Sequence, residues 1–139
     1  MNDPSEAVCA GIIRALELSA AVHNEVSDRV YDEAPEEATY PYIVLGDVNV
    51  TPDIADSGEV DQLYDGAIIE TAVHVYTSQT GRALARRVGA VIAKVLDDEI
   101  DITGYAVIVH DVAAISYGRD EERRMFGIVS VRYEVCPTA

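Results

Sequence analysis

Residues 29–47 read RVYDEAPEEATYPYIVLGD, and how this stretch is divided decides the fold. It opens on a short strand-like run, Arg29-Val30-Tyr31, and closes on a longer one from Pro41. A hairpin between two strands needs only two residues. Here the connection is long, acidic and broken by Pro35, which disfavours helix at Ala34 and removes a ladder donor. We therefore read Asp32 to Thr39 as a crossing from a strand at a sheet edge to a central one. Pro41 fits the first residue of that second strand, where a missing N–H costs little. Tyr40 and Tyr42, on either side of it, are expected on opposite faces.

Working toward the N-terminus, Asp3-Pro4-Ser5-Glu6 has the form of a capping box, with Asp3 as N-cap and Pro4 at the first helical position. Val8, Ile12 and Leu16 follow at helical spacing, with Ile13 beside them. Gly11 interrupts this helix at a cost of about 1 kcal/mol against alanine, so close packing is expected there. The helix should end near Ala21, and Val22 to Asp28 should be a connection.

Toward the C-terminus, PYIVLGDVNV continues the central strand. Thr51 to Asp65 is expected to be a long loop, acidic at Asp53, Asp56, Glu59, Asp61 and Asp65. A connection of this length is mobile or functional. Asp53, Asp56, Gly58 and Asp61 resemble a calcium loop only loosely, because alternate-residue ligands and a terminal glutamate are missing. From Gly66 to Thr77, Ile69, Thr71, Val73, Val75 and Thr77 share one face, and Ile68, Glu70, Ala72, His74 and Tyr76 the other. Ser78-Gln79-Thr80 is expected to cap a helix starting at Gly81, with an apolar stripe of Leu84, Val88, Val91, Ile92, Val95 and Leu96. Asp97-Asp98-Glu99 ends it. Tyr105 to Tyr117 and Met125 to Val135 read as two strands joined by the charged hairpin RDEERR, Arg119 to Arg124.

The fold class that follows is α+β: a mostly antiparallel sheet with two main helices packed on one face and a long strand-connecting loop at about 51–65. Adjacent strands are expected to pair as antiparallel hairpins. Residues 1–139 are expected to form a single domain.

Composition narrows the function. The chain of 139 residues is 49% apolar and carries a net charge of −15. Sixteen acidic residues and two basic ones lie in residues 1–80; nine acidic and eight basic follow. Such a balance disfavours general nucleic-acid binding, since phosphates repel it. No apolar run reaches the ~20 residues of a membrane span. The acidic N-terminus is unlike a signal peptide, and synthesis in the cytoplasm is expected. Cys9 and Cys136 have no metal-site or disulfide-framework spacing and are expected to be free thiols.

No nucleophile elbow, zincin helix, phosphate loop or dinucleotide fingerprint is present. His23, His74 and His110 are isolated in sequence. If His74 and His110 were neighbours, they and Asp111 would be the only candidates for an enzyme or ligand site; a mid-strand histidine is otherwise a half-buried structural residue. Arg82, Arg86 and Arg87 form the main basic island. They either pair with local acids or meet the acidic half of a neighbouring copy, at Glu36, Glu37 or the loop near Asp56. An adaptor that uses the 51–65 loop is a further alternative.

The combined marks resemble a known family. They are Val30-Tyr31, Pro35 and Pro41-Tyr42-Ile43-Val44-Leu45-Gly46; then Val73 to Ser78 leading through a polar turn into Gly81-Arg82; and the arginine-bearing hairpin before the last strand. From about Ala7 to Val135 the chain is similar to the tail-completion proteins, or tail terminators, of long-tailed phages, prophages and gene transfer agents. Many relatives have tryptophan where Tyr76 stands. The resemblance implies a structural, non-enzymatic subunit of a ring in the phage neck, usually six-fold, without cofactor or metal. Its implied partners are other copies of itself, the tail-tube protein and the head-completion (stopper) protein, with DNA passing through the lumen without specific binding. It implies a place in the virion after assembly from the host cytoplasm. Expected subunit contacts are Glu36, Glu37, Asp53, Asp56, Arg82, Arg86, Arg87, Arg123 and Arg124.

Overall fold

A computed structural model describes residues 3–53 and 66–138. The first helix, α1, spans Ser5–Leu18. Asp3 Oδ1 accepts the Ser5 N–H at 2.9 Å, which satisfies one of the donors left free at a helix start. Val8, Ile12 and Leu16 are buried on its inner face. Gly11 faces the connection that follows the third helix: a Cβ there would stand 2.8 Å from the Asp101 carbonyl oxygen. Close packing is thus the reason for that glycine.

The helical region does not end at Ala21. Ser19 adopts an extended conformation, and its hydroxyl accepts the Val22 N–H at 3.3 Å. This caps a second helix, α2, at Ala20–Val26. Val22 and Val26, one turn apart, are both buried. The serine supplied a cap and the two valines a core face, so the expected connection is a helix.

Among the described residues five strands form one sheet: β1 Val30–Tyr31, β2 Tyr42–Asp53, β3 Gly66–Tyr76, β4 Tyr105–Arg119 and β5 Met125–Pro137. The order across the sheet is β1-β2-β3-β5-β4. β2 and β3, and β4 and β5, are antiparallel neighbours in sequence as expected. β1 differs. It pairs in parallel with β2, Val30 opposite Ile43 and Tyr31 opposite Val44. A parallel pair needs a crossover connection, and the acidic stretch of 32–41 supplies it.

Between β3 and β4 runs α3, Arg82–Asp97. Ser78 and Thr80 do not cap it. The Thr77 side chain is fully buried and donates to the Gly81 carbonyl at 3.1 Å, tying the turn to the strand end. Ala85, Val88, Ile92 and Leu96 of α3 join Val8, Ile12 and Leu16 of α1 against one sheet face. That face is built from Ile69, Val73 and Val75 of β3 and Val129, Val131, Tyr133 and Val135 of β5. The fold is therefore α+β, a mostly antiparallel sheet with its helices on one side.

β2 bends where Gly46 and Asp47 together oppose Ala72, a bulge between Leu45 and Val48. The Thr71 hydroxyl donates to the Asp47 carbonyl at 2.9 Å and holds the bend. β2 runs on to Asp53, so Thr51 to Asp53 are strand and not loop. Asp56 and the rest of the calcium-like sequence lie outside the described residues.

Candidate functional site

The two sheet edges differ in length and in charge. One edge is β1, only two residues long, followed by the acidic crossing. Asp32, Glu33, Glu36 and Glu37 are all exposed there. Arg29, just before β1, is turned to the backbone: its Nε donates to the Pro41 carbonyl at 2.8 Å.

The other edge is β4, fifteen residues long. Ile108, Val109, Ile115 and Tyr117 are exposed along it. An open edge of this length is a template for pairing unless it is disrupted. Two irregularities, between Val107 and Val109 and between Val112 and Ala114, disrupt its first part. From Ala114 to Arg119 the pairing with β5 is regular, and no strand among the described residues pairs with its outward side.

The basic island sits beside this regular part. Arg82 and Arg86, on the first turns of α3, line a shallow depression with Tyr117, Gly118, Arg119 and Met125. The Tyr117 hydroxyl donates to the Arg86 carbonyl at 3.3 Å, which fixes the strand against the helix. Arg119 Nη1 donates to the Gln79 and Arg123 carbonyls at 2.8 and 3.1 Å, linking the helix entry to the hairpin. Arg123 is exposed, with φ of 65°.

Arg87 and Arg124, the other two arginines expected at a contact, have partners within the subunit. Arg87 makes a two-pronged contact with Glu25, with Nη2 at 2.9 Å and Nε at 3.0 Å. Arg124 Nε donates to Asp120 Oδ2 at 2.7 Å. Asp120 Oδ1 also accepts the N–H groups of Glu122 and Arg124. Burial raises the Asp120 pKa, but these bonds outweigh it and hold the carboxyl below its ordinary range. Arg124 lies over the Tyr76 ring, 4.8 Å from its centre, and reaches the Tyr42 hydroxyl at 3.5 Å.

Among the described residues, Glu36, Glu37, Arg82, Arg86, Arg119 and Arg123 make no ion pair. The backbone places Asp53 at the end of β2, opposite Gly66.

The sheet face away from the helices carries an aromatic row. Tyr42 pairs with Tyr76, and Tyr76 with Phe126. Tyr40 stacks on Tyr42 with ring centroids 5.8 Å apart. The expectation that Tyr40 and Tyr42 take opposite faces fails: the Tyr40 ring lies against the Tyr42 ring, on the same side of the sheet. Tyr42 is buried by its neighbours and Tyr40 is exposed.

The histidine pair does not form. β5 lies between β3 and β4, and the register sets His74 level with Ile128 and Ser116. His110 is level with Tyr133 and Ile69. His110 shares the helix-side face with Tyr133, whereas Asp111 shares the opposite face with Arg132 and Glu70. His74 stacks on Tyr76 and packs on Gly46, where a Cβ would meet its Nε2 at 2.6 Å. Burial lowers its pKa, and Asp47 pulls the other way. Among the described residues no group of three or more His, Cys, Asp or Glu converges to hold a metal. No helix among them is long and apolar enough to cross a membrane. Cys9 and Cys136 are free and half-buried.

Arg119 and the exposed β4 edge were not singled out from the sequence. The RDEERR stretch was visible, but which strand ends at the sheet edge depends on the pairing order.

The same fold is found in solved phage-type structures. A chain in the virion of a native gene transfer agent particle matches it with a TM-score of 0.79 at 20% identity, covering 98% of this chain and 99% of that one. The gp17 protein of bacteriophage SPP1 matches with a TM-score of 0.63 at 21% identity, covering 93% and 88%. No curated protein matches the chain. The family model for tail completion protein gp17 matches residues 10–135, and the chain belongs to that family. It is a structural protein of a phage-type tail and not an enzyme.

Proposed function

We propose that the chain acts as one tail-terminator-like domain whose copies close into a ring, six-fold as the family resemblance implies, at the head-proximal end of a tail tube. One face of the ring ends growth of the tube. The other receives the head-completion protein of the neck. DNA crosses the lumen without specific binding, and the subunit resides in the host cytoplasm before assembly.

The observation that carries this reading is the family match over residues 10–135, nearly the whole chain. The charge agrees with it. A subunit at −15 repels phosphate, so a wall of such subunits would not retain passing DNA. A closed ring requires two different, complementary patches on each subunit, and the two sheet edges provide patches of opposite charge.

The test is particle production with and without this chain. Its absence should give tails of uncontrolled length and heads without tails, and resupplying the chain should restore joined particles. Normal tail length and normal joining in its absence would remove the reading.

A further inference from the structure

We infer that neighbouring copies meet edge to edge, the acidic β1 crossing of one subunit against the arginine-bearing end of β4 in the next. This rests on the ring reading above and names the contact that would build it.

The first support is position. Tyr31, where the chain leaves β1, is level with Val44, His74, Ile128 and Ser116 across the sheet. Tyr42, where the chain returns, is level with Tyr76, Phe126 and Gly118. The two ends of the acidic crossing thus lie on the rows of Ser116 and Gly118, with Tyr31 at the opposite edge about 19 Å away, four strand spacings. Patches at one height on opposite edges meet when subunits are related by rotation about an axis along the strands. Such a contact is head-to-tail and heterologous, the kind that closes a ring.

The second support is charge. Glu36 and Glu37 have no cation, and Arg82, Arg86 and Arg123 have no carboxylate, among the described residues. Arg87 and Arg124, by contrast, are held by Glu25 and Asp120. The subunit neutralises two arginines internally and leaves Glu36 and Glu37 at one edge and Arg82, Arg86 and Arg123 at the other, where the arginines outnumber the exposed Glu121 and Glu122 of the same hairpin. Complementary charge of this kind fixes register and partner choice.

The third support is apolar. Ile115 and Tyr117 are 42% and 37% exposed beside the arginines, on the regular part of the edge. They give the contact a surface to dry, with arginine and tyrosine as its anchors.

The test is charge reversal with rescue, read as joined particles per producing cell. R82E/R86E and E36K/E37K should each lower the yield about tenfold or more, since like charges then face each other. The four changes combined in one chain should recover most of it. Wild-type yield from either double variant, or failure of the combination to recover, would overturn the contact. Loss of yield with the whole chain absent separates this outcome from failure of the ring reading. A second measurement does not depend on charge. E37C/R86C in a C9S/C136S background should oxidise into ladders of linked copies within assembled particles, and only single chains there would count against the contact.

Discussion

The guanidinium of Arg124 stands 4.8 Å above the centre of the Tyr76 ring while its Nε holds Asp120 at 2.7 Å. One side chain therefore ties the β4–β5 hairpin both to its own turn and to the aromatic row on the open sheet face. Burial opposes its charge, yet the Tyr40 and Asp120 side chains beside it raise its pKa above the ordinary arginine value. We expect Arg124→Ala to lower stability by about 1–3 kcal/mol, from the lost cation–π contact and ion pair. Arg124→Lys should recover only part, because an ammonium cannot both stack and fork. Urea denaturation of the three proteins checks this; an alanine variant within about 0.5 kcal/mol of wild type would contradict it.

His74 makes stability depend on pH. Burial holds its folded pKa below the ordinary 6.5, with Asp47 only partly opposing. Below 6.5 the unfolded chain takes up the proton first, so stability is complete above that pH and is lost as pH falls toward the folded pKa. His74→Gln should flatten this loss. Thermal unfolding from pH 7.5 down to about pH 5 gives the comparison, and parallel profiles for both proteins would rule His74 out as the source.

Gly11 offers a reversal of the usual helix rule. Alanine in a helix interior normally gains about 1 kcal/mol over glycine. Here its Cβ would press on the Asp101 carbonyl at 2.8 Å and on Ile102 Cγ1 at 3.2 Å. We expect Gly11→Ala to destabilise by about 1–3 kcal/mol through overpacking. A rise in the denaturation midpoint would show that the connection yields freely.

Tyr133 is fully buried, and its hydroxyl has no hydrogen-bond partner among the described residues. Burial drives its pKa well above the ordinary tyrosine value. Tyr133→Phe removes a desolvated polar group and keeps the ring, so it should be neutral or stabilising by up to about 1 kcal/mol. Tyr133→Ala should cost about 3–5 kcal/mol from the cavity. A phenylalanine variant weaker than wild type by more than about 1.5 kcal/mol would reveal a bond to that hydroxyl.

Much of this molecule is legible in its sequence because period and face coincide. The alternation from Ile69 to Val75 is the buried face of β3, and Val88, Ile92 and Leu96 are the buried stripe of α3. What was not legible depends on long-range pairing. No local pattern makes β1 parallel or sets β5 between β3 and β4, and that order separates His74 from His110 and exposes Ile115 and Tyr117. Local bonds also outweighed general preferences: Ser19 restarts a helix, and α3 starts without a side-chain cap, its entry turn held by the Thr77 hydroxyl on the Gly81 carbonyl. The same limit applied to the basic island, since Arg87 and Arg82 look alike until Glu25 is found 2.9 Å from one of them.

The most direct measurement of the central claim is cryo-electron microscopy of joined particles carrying this chain. The account predicts a ring of this subunit at the head-proximal end of the tail tube, with the β1 crossing of each copy seated at the β4 edge of the next. Density for the subunit elsewhere in the particle, or its absence from joined particles, would contradict it.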